Sequence, residues 1–176
     1  NTLDSFNFPR QGTDANLVWQ FNLRQMGSDT SDSGLILTWN RALTWGDNTL
    51  VPGISVQTMI NGDGNMEDAF TLGGFLNLSG YSSGELSGQH TALGRLVYLR
   101  RIGRLGLGNF KLQMFLGGSA EAGQVWDRRE DITFSSLSAA GSVFVGADSF
   151  LGPAYIGYGQ AEGGRGTVYF SIGQKF

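Results

Sequence analysis

The chain has 176 residues, which is room for one domain, and its 40% hydrophobic and 15% charged residues exclude extensive disorder. A net charge of −3 argues against a broad nucleic-acid surface, and the absence of cysteine excludes disulfides and thiolate metal sites. No apolar run approaches the ~18 residues of a membrane-spanning helix, so any membrane contact is expected from strands.

Glycine is far more frequent than proline, at 28 residues against 3. That excess does not suit helices, whereas tight turns and crowded strands favour residues without a Cβ. We therefore expect an all-β chain with residues 1–176 forming a single domain. The first residue is Asn1 rather than methionine, and we interpret the chain as part of a longer protein.

Alternation with a period of two predicts eight strands. In the first three, the apolar faces carry Leu17, Trp19, Phe21 and Leu23, then Leu35, Leu37 and Trp39, then Ile54, Val56 and Ile60. The fourth runs from about Thr91 to Arg101, and the fifth carries Phe110, Leu112, Met114 and Leu116. The last three carry Leu137, Ala139, Val143 and Val145, then Ala154, Ile156 and Tyr158, then Val168, Phe170, Ile172 and Phe176.

The predicted connections alternate in length. Those near Gly46, Arg101 and Asp148 are short, roughly five residues each, as on the periplasmic side of outer-membrane barrels. The opposite connections are longer and include a Gly-, Ser- and Asn-rich loop over residues 61–89 and a charged loop beginning at Asp127. These lengths favour an antiparallel transmembrane β-barrel segment, although a soluble barrel or sandwich also has such strand spacing.

The two faces of the predicted strands differ in polarity. If the apolar face meets lipid, then the polar face lines a lumen, and Arg24, Arg95, Lys111 and Glu121 are expected there. A soluble barrel would reverse this polarity. The alternation alone does not say which face is inside.

Residues suited to catalysis or metal binding are scarce. A serine hydrolase needs a Gly-X-Ser-X-Gly turn, and the nearest segment, residues 84–88, has its serine one place off. His90 is the only histidine, so triads and multi-histidine metal sites lack material. Asp63, Glu67 and Asp68 lack the spacing of a helix–loop–helix calcium site. We expect no catalytic residue, metal or cofactor in this chain.

A cluster of basic residues falls at the second predicted short turn. Arg100, Arg101 and Arg104 are interpreted as a solvated turn, the alternative being contact with anionic lipid or an acidic partner.

The segment over residues 70–81 resembles the sixth-loop region of bacterial surface antigen barrels of the BamA and TamA type. In that family a Gly-Gly-Phe stretch precedes a hydrophobic-Arg-Gly-aromatic motif that folds back into the lumen. The matching stretch here is Gly73, Gly74 and Phe75, and the matching motif is Leu78, Ser79, Gly80 and Tyr81, with Ser79 at the arginine position.

Two further segments carry the same resemblance. Glu121 and Gly123 match an acidic-X-Gly strand end, and the resemblance implies a contact of these two residues in the lumen. Residues 152–159 and the end of the chain resemble the barrels of patatin-like phospholipase autotransporters of type V secretion. The last strand, with Gly166, Phe170, Ile172 and Phe176, is similar to the signal that the barrel assembly machinery reads.

The resemblance implies a role in the cell outer membrane of a Gram-negative bacterium. The eight strands would form half of a sixteen-stranded barrel that anchors and exports or displays an upstream passenger, completed by upstream strands or a second copy. Any lipase activity would lie in that upstream domain. Two alternatives remain open: a self-sufficient eight-stranded outer-membrane barrel with a structural or adhesive role, and a soluble ligand-binding barrel.

Overall fold

The computed structural model describes residues 1–4, 8–22, 32–61, 69–107, 110–149 and 152–173. Within them the chain forms ten strands. In order these are β1 (Gly12–Asn22), β2 (Asp32–Trp45), β3 (Asn48–Asn61), β4 (Phe70–Leu72), β5 (Leu86–Gly88), β6 (His90–Leu107), β7 (Phe110–Trp126), β8 (Ser138–Ser149), β9 (Gly152–Ala161) and β10 (Arg165–Ile172).

Eight of these strands form one antiparallel sheet in the order β1–β2–β3–β6–β7–β8–β9–β10, and β4 and β5 form a separate two-stranded sheet. All-β architecture and eight antiparallel strands are therefore confirmed. Within the described residues β1 and β10 do not pair with each other, so the large sheet is open rather than closed into a barrel.

The short connections are shorter than predicted. β2 ends at Trp45 and β3 begins at Asn48, so two residues connect them instead of roughly five. β6 likewise extends to Leu107, which places Arg101 and Arg104 inside a strand and not in a turn. The prediction was wrong because β6 loses its alternation at a register shift between Arg101 and Gly103.

The predicted loop over residues 61–89 contains more structure than its irregular pattern indicated. The short strands β4 and β5 pair within it, and part of it packs on the large sheet. Three-residue strands are too short to show a period of two. We call residues 69–88 the inner loop. The face of the large sheet that contacts this loop is called the inner face, and the opposite face is called the outer face.

Side chains on the inner face form the larger core cluster of the described residues. The segment before β1 contributes Phe8, whose ring stacks on Phe115 with centroids 4.0 Å apart and an interplanar angle of 7°. The inner loop contributes Leu76, and the sheet supplies the remaining members, among them Val51, Val97, Leu99, Phe144 and Tyr155. The core therefore lies between one sheet face and two segments folded onto it.

The outer face is apolar and exposed. Its alternating residues on β1 and β10 include Leu17, Trp19, Phe21, Val168 and Phe170, each at least 59% exposed. The connection between β7 and β8, residues 127–137, carries two short 3-10 turns, at Arg129–Asp131 and Phe134–Ser136, and its side chains lie against this face. Among the described residues no helix is long and apolar enough to cross a membrane.

Candidate functional site

The inner loop begins and ends as a hairpin, which fixes the segment between. β4 and β5 pair from Phe70 with Gly88 to Leu72 with Leu86. Just after β4, the Gly73 N–H donates to the Asn77 carbonyl at 2.8 Å. Gly73 has φ +113°, and a Cβ there would lie 2.3 Å from the Ser82 carbonyl oxygen. The first glycine of the Gly-Gly-Phe stretch is therefore required by a tight turn.

The centre of the inner loop is fully buried although its backbone is strained. Leu76 and Leu78 have φ of +57° and +73°, which L-residues adopt at a cost of order 1 kcal/mol or more each. Their side chains are 2% and 0% exposed. Such conformations persist only where the surroundings over-determine them, so packing on the inner face holds the loop in this shape.

The principal polar contact of the inner loop is between Ser79 and Glu121 of β7. The Ser79 N–H donates to Glu121 Oε2 and the Ser79 hydroxyl to Oε1, each at 2.7 Å. Ser119 Oγ also donates to Oε1, at 2.5 Å. Glu121 is 5% exposed, and a buried carboxylate needs such donors because it has left water. Ser79 thus contacts the strand carboxylate directly, with its backbone as well as its side chain.

Two side chains of strand β10 hold Gly80, the residue that follows Ser79. The Gly80 N–H donates to the Tyr169 hydroxyl at 2.8 Å, and that hydroxyl donates to the Tyr81 carbonyl at 2.6 Å. The Thr167 hydroxyl donates to the Gly80 carbonyl at 2.8 Å. Gly80 has φ +106°, and a Cβ there would lie 2.3 Å from the backbone nitrogen of Ala161. Only glycine lets the loop approach β9 this closely.

Arg95 of β6 connects the inner loop to a more distant strand. Its guanidinium donates to the Leu76 carbonyl and to Asn40 Oδ1 of β2, both at 3.0 Å. A Cβ on Gly53, between these strands, would lie 2.4 Å from Asn40 Oδ1 and 3.1 Å from Arg95 Nε. The arginine therefore passes over a glycine that leaves space for it.

At the edge of the sheet the inner loop meets Arg165 at the start of β10. This guanidinium forms an ion pair with Glu85 and lies 5.1 Å from the centroid of the Tyr81 ring. Both partners belong to the loop, so β10 is fixed to it by charge as well as by hydrogen bonds. The arginine is half exposed, and surface pairs of this kind contribute about 1 kcal/mol or less.

The other predicted site residues are distributed over both faces. Phe75 meets Phe144 edge-on with centroids 5.0 Å apart, and a Cβ on Gly123 would lie 3.5 Å from Leu72 Cδ1. Phe170 and Ile172 lie exposed on the outer face of β10. Arg24, Asp63, Glu67, Asp68, Phe176 and the side chain of Lys111 lie outside the described residues.

His90 and Ser87, the residues considered for catalysis, both lie in strands. His90 is buried, and its Nδ1 lies 2.7 Å from the Thr58 hydroxyl. Ser87, the serine of the 84–88 segment, lies exposed in β5. Ser87 contacts no base among the described contacts, and the hydroxyl beside His90 belongs to Thr58, its register partner in β3.

Sequence reasoning missed the contribution of Tyr169, Thr167 and Asn40. The first two alternate with Val168 and Phe170, so the same period of two places them on the inner face. Their partner, Gly80, is 89 and 87 positions away. No local pattern in one sequence indicates a pairing over that distance.

Comparison of the chain with protein-family models and with curated proteins gave no match. The described residues form an open antiparallel sheet with an exposed apolar face and an opposite face that packs a folded loop on an apolar core and polar contacts.

Proposed function

We propose that this chain forms eight strands of a bacterial outer-membrane β-barrel that anchors an upstream passenger domain and exports or displays it. The observation that carries the proposal is that the outer face exposes large apolar side chains although the inner face already packs an apolar core of its own. The inner face combines that core with the polar contacts of Glu121, Arg95 and Tyr169 to the inner loop, so both faces of the sheet carry apolar side chains. A soluble barrel buries its apolar face instead.

The exposure of large apolar side chains on both edge strands supports a lipid environment. Val168 and Phe170 are each 72% exposed, and Leu17 on the other edge strand is 66% exposed. Soluble monomers rarely expose contiguous apolar patches above a few hundred Å², and apolar area costs about 25 cal/mol per Å² in water. In a bilayer that cost disappears, because lipid tails are apolar as well.

Strand length also supports a membrane position. A transmembrane strand needs about 9–11 residues, and β1 has 11 while β2 and β3 have 14 each. Trp19, Trp39 and Trp45 lie on the outer face, where aromatic side chains of membrane barrels gather at the interfaces.

The open sheet favours a larger barrel over a self-sufficient one of eight strands. The outer edges of β1 and β10 have no partner strand among the described residues, and unpaired backbone groups cost several kcal/mol each in hydrocarbon. Strands outside this chain, or those of a second copy, would pair with these edges. The barrel assembly machinery is the proposed partner during insertion.

Disulfide crosslinking tests which edges pair. Cysteines replace Leu17 of β1 and Phe170 of β10 in the protein expressed in its membrane. Leu17→Cys with Leu37→Cys is the positive control, because these residues are register partners in β1 and β2. The proposal expects the control pair to crosslink within one chain, and the Leu17/Phe170 pair to crosslink between copies, or not at all where upstream strands without an introduced cysteine occupy these edges.

A crosslink between Leu17→Cys and Phe170→Cys within one chain would contradict the half-barrel and favour the self-sufficient barrel. Fractionation gives the second readout. Recovery of the chain with outer membranes after alkaline washing supports the proposal, whereas a chain that stays in solution without detergent would overturn it in favour of a soluble ligand-binding barrel.

A further inference from the structure

The outer face is not uniform. The connection between β7 and β8, residues 127–137, folds over the outer face at the end of the sheet where β7 ends. The Trp126 indole N–H donates to the Ser136 hydroxyl at 3.0 Å, and the Gln124 side-chain amide donates to the Ser136 carbonyl at 2.7 Å. Trp126 is 8% exposed although it lies on the otherwise exposed face. The connection therefore holds a fixed position on the sheet.

Between this connection and the sheet lies an apolar groove with a volume of about 420 Å³. Its floor consists of small residues on two neighbouring strands: Ala92 and Gly94 of β6 and Ala122 of β7, with Gly94 and Ala122 directly opposite each other. A Cβ on Gly94 would meet only one atom within 4 Å, the Ala122 carbonyl oxygen, at 3.9 Å. The groove is deep at this point because the side chains of its floor are small.

The walls of the groove are large and apolar on both sides. Ile54 and Val56 of β3 form one wall, and the other is formed by Trp126 together with Ile132, Phe134 and Leu137 of the connection. Phe134 is 92% exposed and Ile132 47% exposed. Two large side chains beside an open groove, both left in solvent, indicate a site for an apolar chain.

A positive charge flanks the groove at its loop end. The 3-10 turn Arg129–Asp131 leads directly into Ile132, whose N–H donates to the Arg129 carbonyl at 3.3 Å. Arg128 forms ion pairs with Glu130 and Asp131, whereas Arg129 has no ion pair among the described contacts. Its backbone adjoins the groove wall at Ile132 and lies three residues beyond Trp126, whose register partner is His90 at the start of β6.

We infer that this groove binds one acyl chain of a phosphorylated membrane lipid, with Arg129 near the phosphate. An apolar channel beside a guanidinium that has no ion pair within the described part of the chain complements an amphiphile whose anionic group adjoins a hydrocarbon chain. The inference rests on the proposed function, because it requires the outer face to lie in a bilayer. It adds a specific lipid site to a face that would otherwise meet lipid without preference.

Trp126 supplies the readout, because its ring lines the groove and brominated acyl chains quench tryptophan fluorescence on contact. The full chain carries Trp19→Phe, Trp39→Phe and Trp45→Phe so that Trp126 is its single tryptophan. It is reconstituted in phosphatidylcholine vesicles with and without bromine on the acyl chains. We expect quenching of Trp126 in the brominated vesicles although its side chain is nearly inaccessible.

Filling the floor should remove that quenching. Gly94→Val adds a side chain where the structure has open space, and excluding about two methylene groups from the groove lowers its occupancy roughly 10-fold. The matched control is Gly106→Val on the same strand, where a Cβ meets nothing within 4 Å and which does not line the groove. Trp126 should be quenched in Gly106→Val as strongly as in the parent protein. Arg129→Gln should weaken quenching less than Gly94→Val.

A second single-tryptophan protein, retaining only Trp19, separates this inference from the proposed function. Trp19 is 59% exposed on β1, far from the groove in the strand order. Quenching of Trp19 without quenching of Trp126, or quenching of Trp126 unchanged by Gly94→Val, overturns the lipid site and leaves the membrane assignment standing. Absence of quenching at Trp19 overturns both.

Discussion

Ser79 donates its backbone N–H and its hydroxyl to the two carboxylate oxygens of Glu121, each at 2.7 Å, across 42 positions of sequence. The pair connects the most buried part of the inner loop to β7, near the middle of the sheet order. Loop and sheet are thereby held together by a charged group that neither element satisfies alone.

Replacing this carboxylate should loosen the loop. In Glu121→Gln one oxygen becomes an NH₂ group that faces a donor, so a buried N–H or hydroxyl of Ser79 loses its acceptor at a cost of about 1–3 kcal/mol. The inner loop should become more sensitive to protease, and the unfolding midpoint in denaturant should fall. Glu162→Gln, an exposed change in the connection before β10, is the comparison and should have at most a small effect. Equal sensitivity of both variants would contradict the assigned role of Glu121.

The space around Ser79 accepts only a small side chain. Its side chain is fully buried, and a Cβ on Gly159 would lie 2.7 Å from the Ser79 Cβ. Ser79→Arg should therefore displace the loop although arginine is the residue that the resembling family carries there, and overpacking typically costs about 1–3 kcal/mol. Ser83→Arg at an exposed position of the same loop should not. Protease sensitivity of residues 73–88 measures the difference, and a Ser79→Arg variant as resistant as the parent would contradict this geometry.

Two glycines of the inner loop separate backbone strain from close packing. Gly80→Ala should be severely destabilising because the new Cβ meets the backbone of β9, whereas Gly84 has φ +68° with only Thr71 atoms near, at 3.9 Å. Gly84→Ala should cost only the left-handed strain of about 1–2 kcal/mol. Unfolding midpoints in detergent measure both, and a smaller loss for Gly80→Ala than for Gly84→Ala would be the contrary result.

Phe8 is expected to hold the segment before β1 against the inner face of the sheet. It is 4% exposed and stacks on Phe115, so Phe8→Ala should lower the free energy of unfolding by about 3–5 kcal/mol. Phe134→Ala, at a side chain that is 92% exposed, should change it little. Comparable losses in the two variants would mean that Phe8 is not packed as described.

The turn between β2 and β3 should give stability a dependence on pH. A hydrogen bond from Arg101, and then the charge of that arginine, hold the pKa of Asp47 below its usual 3.8. A carboxylate with a lowered pKa in the folded state stabilises above its unfolded pKa, and the contribution disappears as pH falls through the folded value. Asp47→Asn should thus be slightly less stable than the parent at neutral pH and equal to it in strong acid. Salt should shrink the neutral-pH difference, because Asp47 is exposed.

A difference between Asp47→Asn and the parent that persists unchanged in strong acid would show that the substitution acts through the turn itself and not through charge. Unfolding curves recorded over a range from neutral pH to strong acid distinguish the two outcomes.

The sequence alone determined the eight strands of the large sheet and the apolar residues that face outward on its edge strands. Alternation put Leu17, Trp19 and Phe21 on one side of β1 and Val168 and Phe170 on one side of β10, and the structure has them on the same outer face. This succeeds because a strand turns successive side chains to opposite faces, so the period is a local property that neighbouring residues carry by themselves.

The tertiary structure decided how far the strands extend and what occupies the inner face. β6 continues past the irregularity at Gly103 because β7 pairs with it as far as Leu107, and the inner loop takes its shape from Glu121, Tyr169 and Arg95. Those contacts join residues that are far apart in the chain, and the strained backbone of Leu76 and Leu78 follows from them. A local pattern shows which residues share a face, but only the folded sheet brings a distant carboxylate to the loop that needs it.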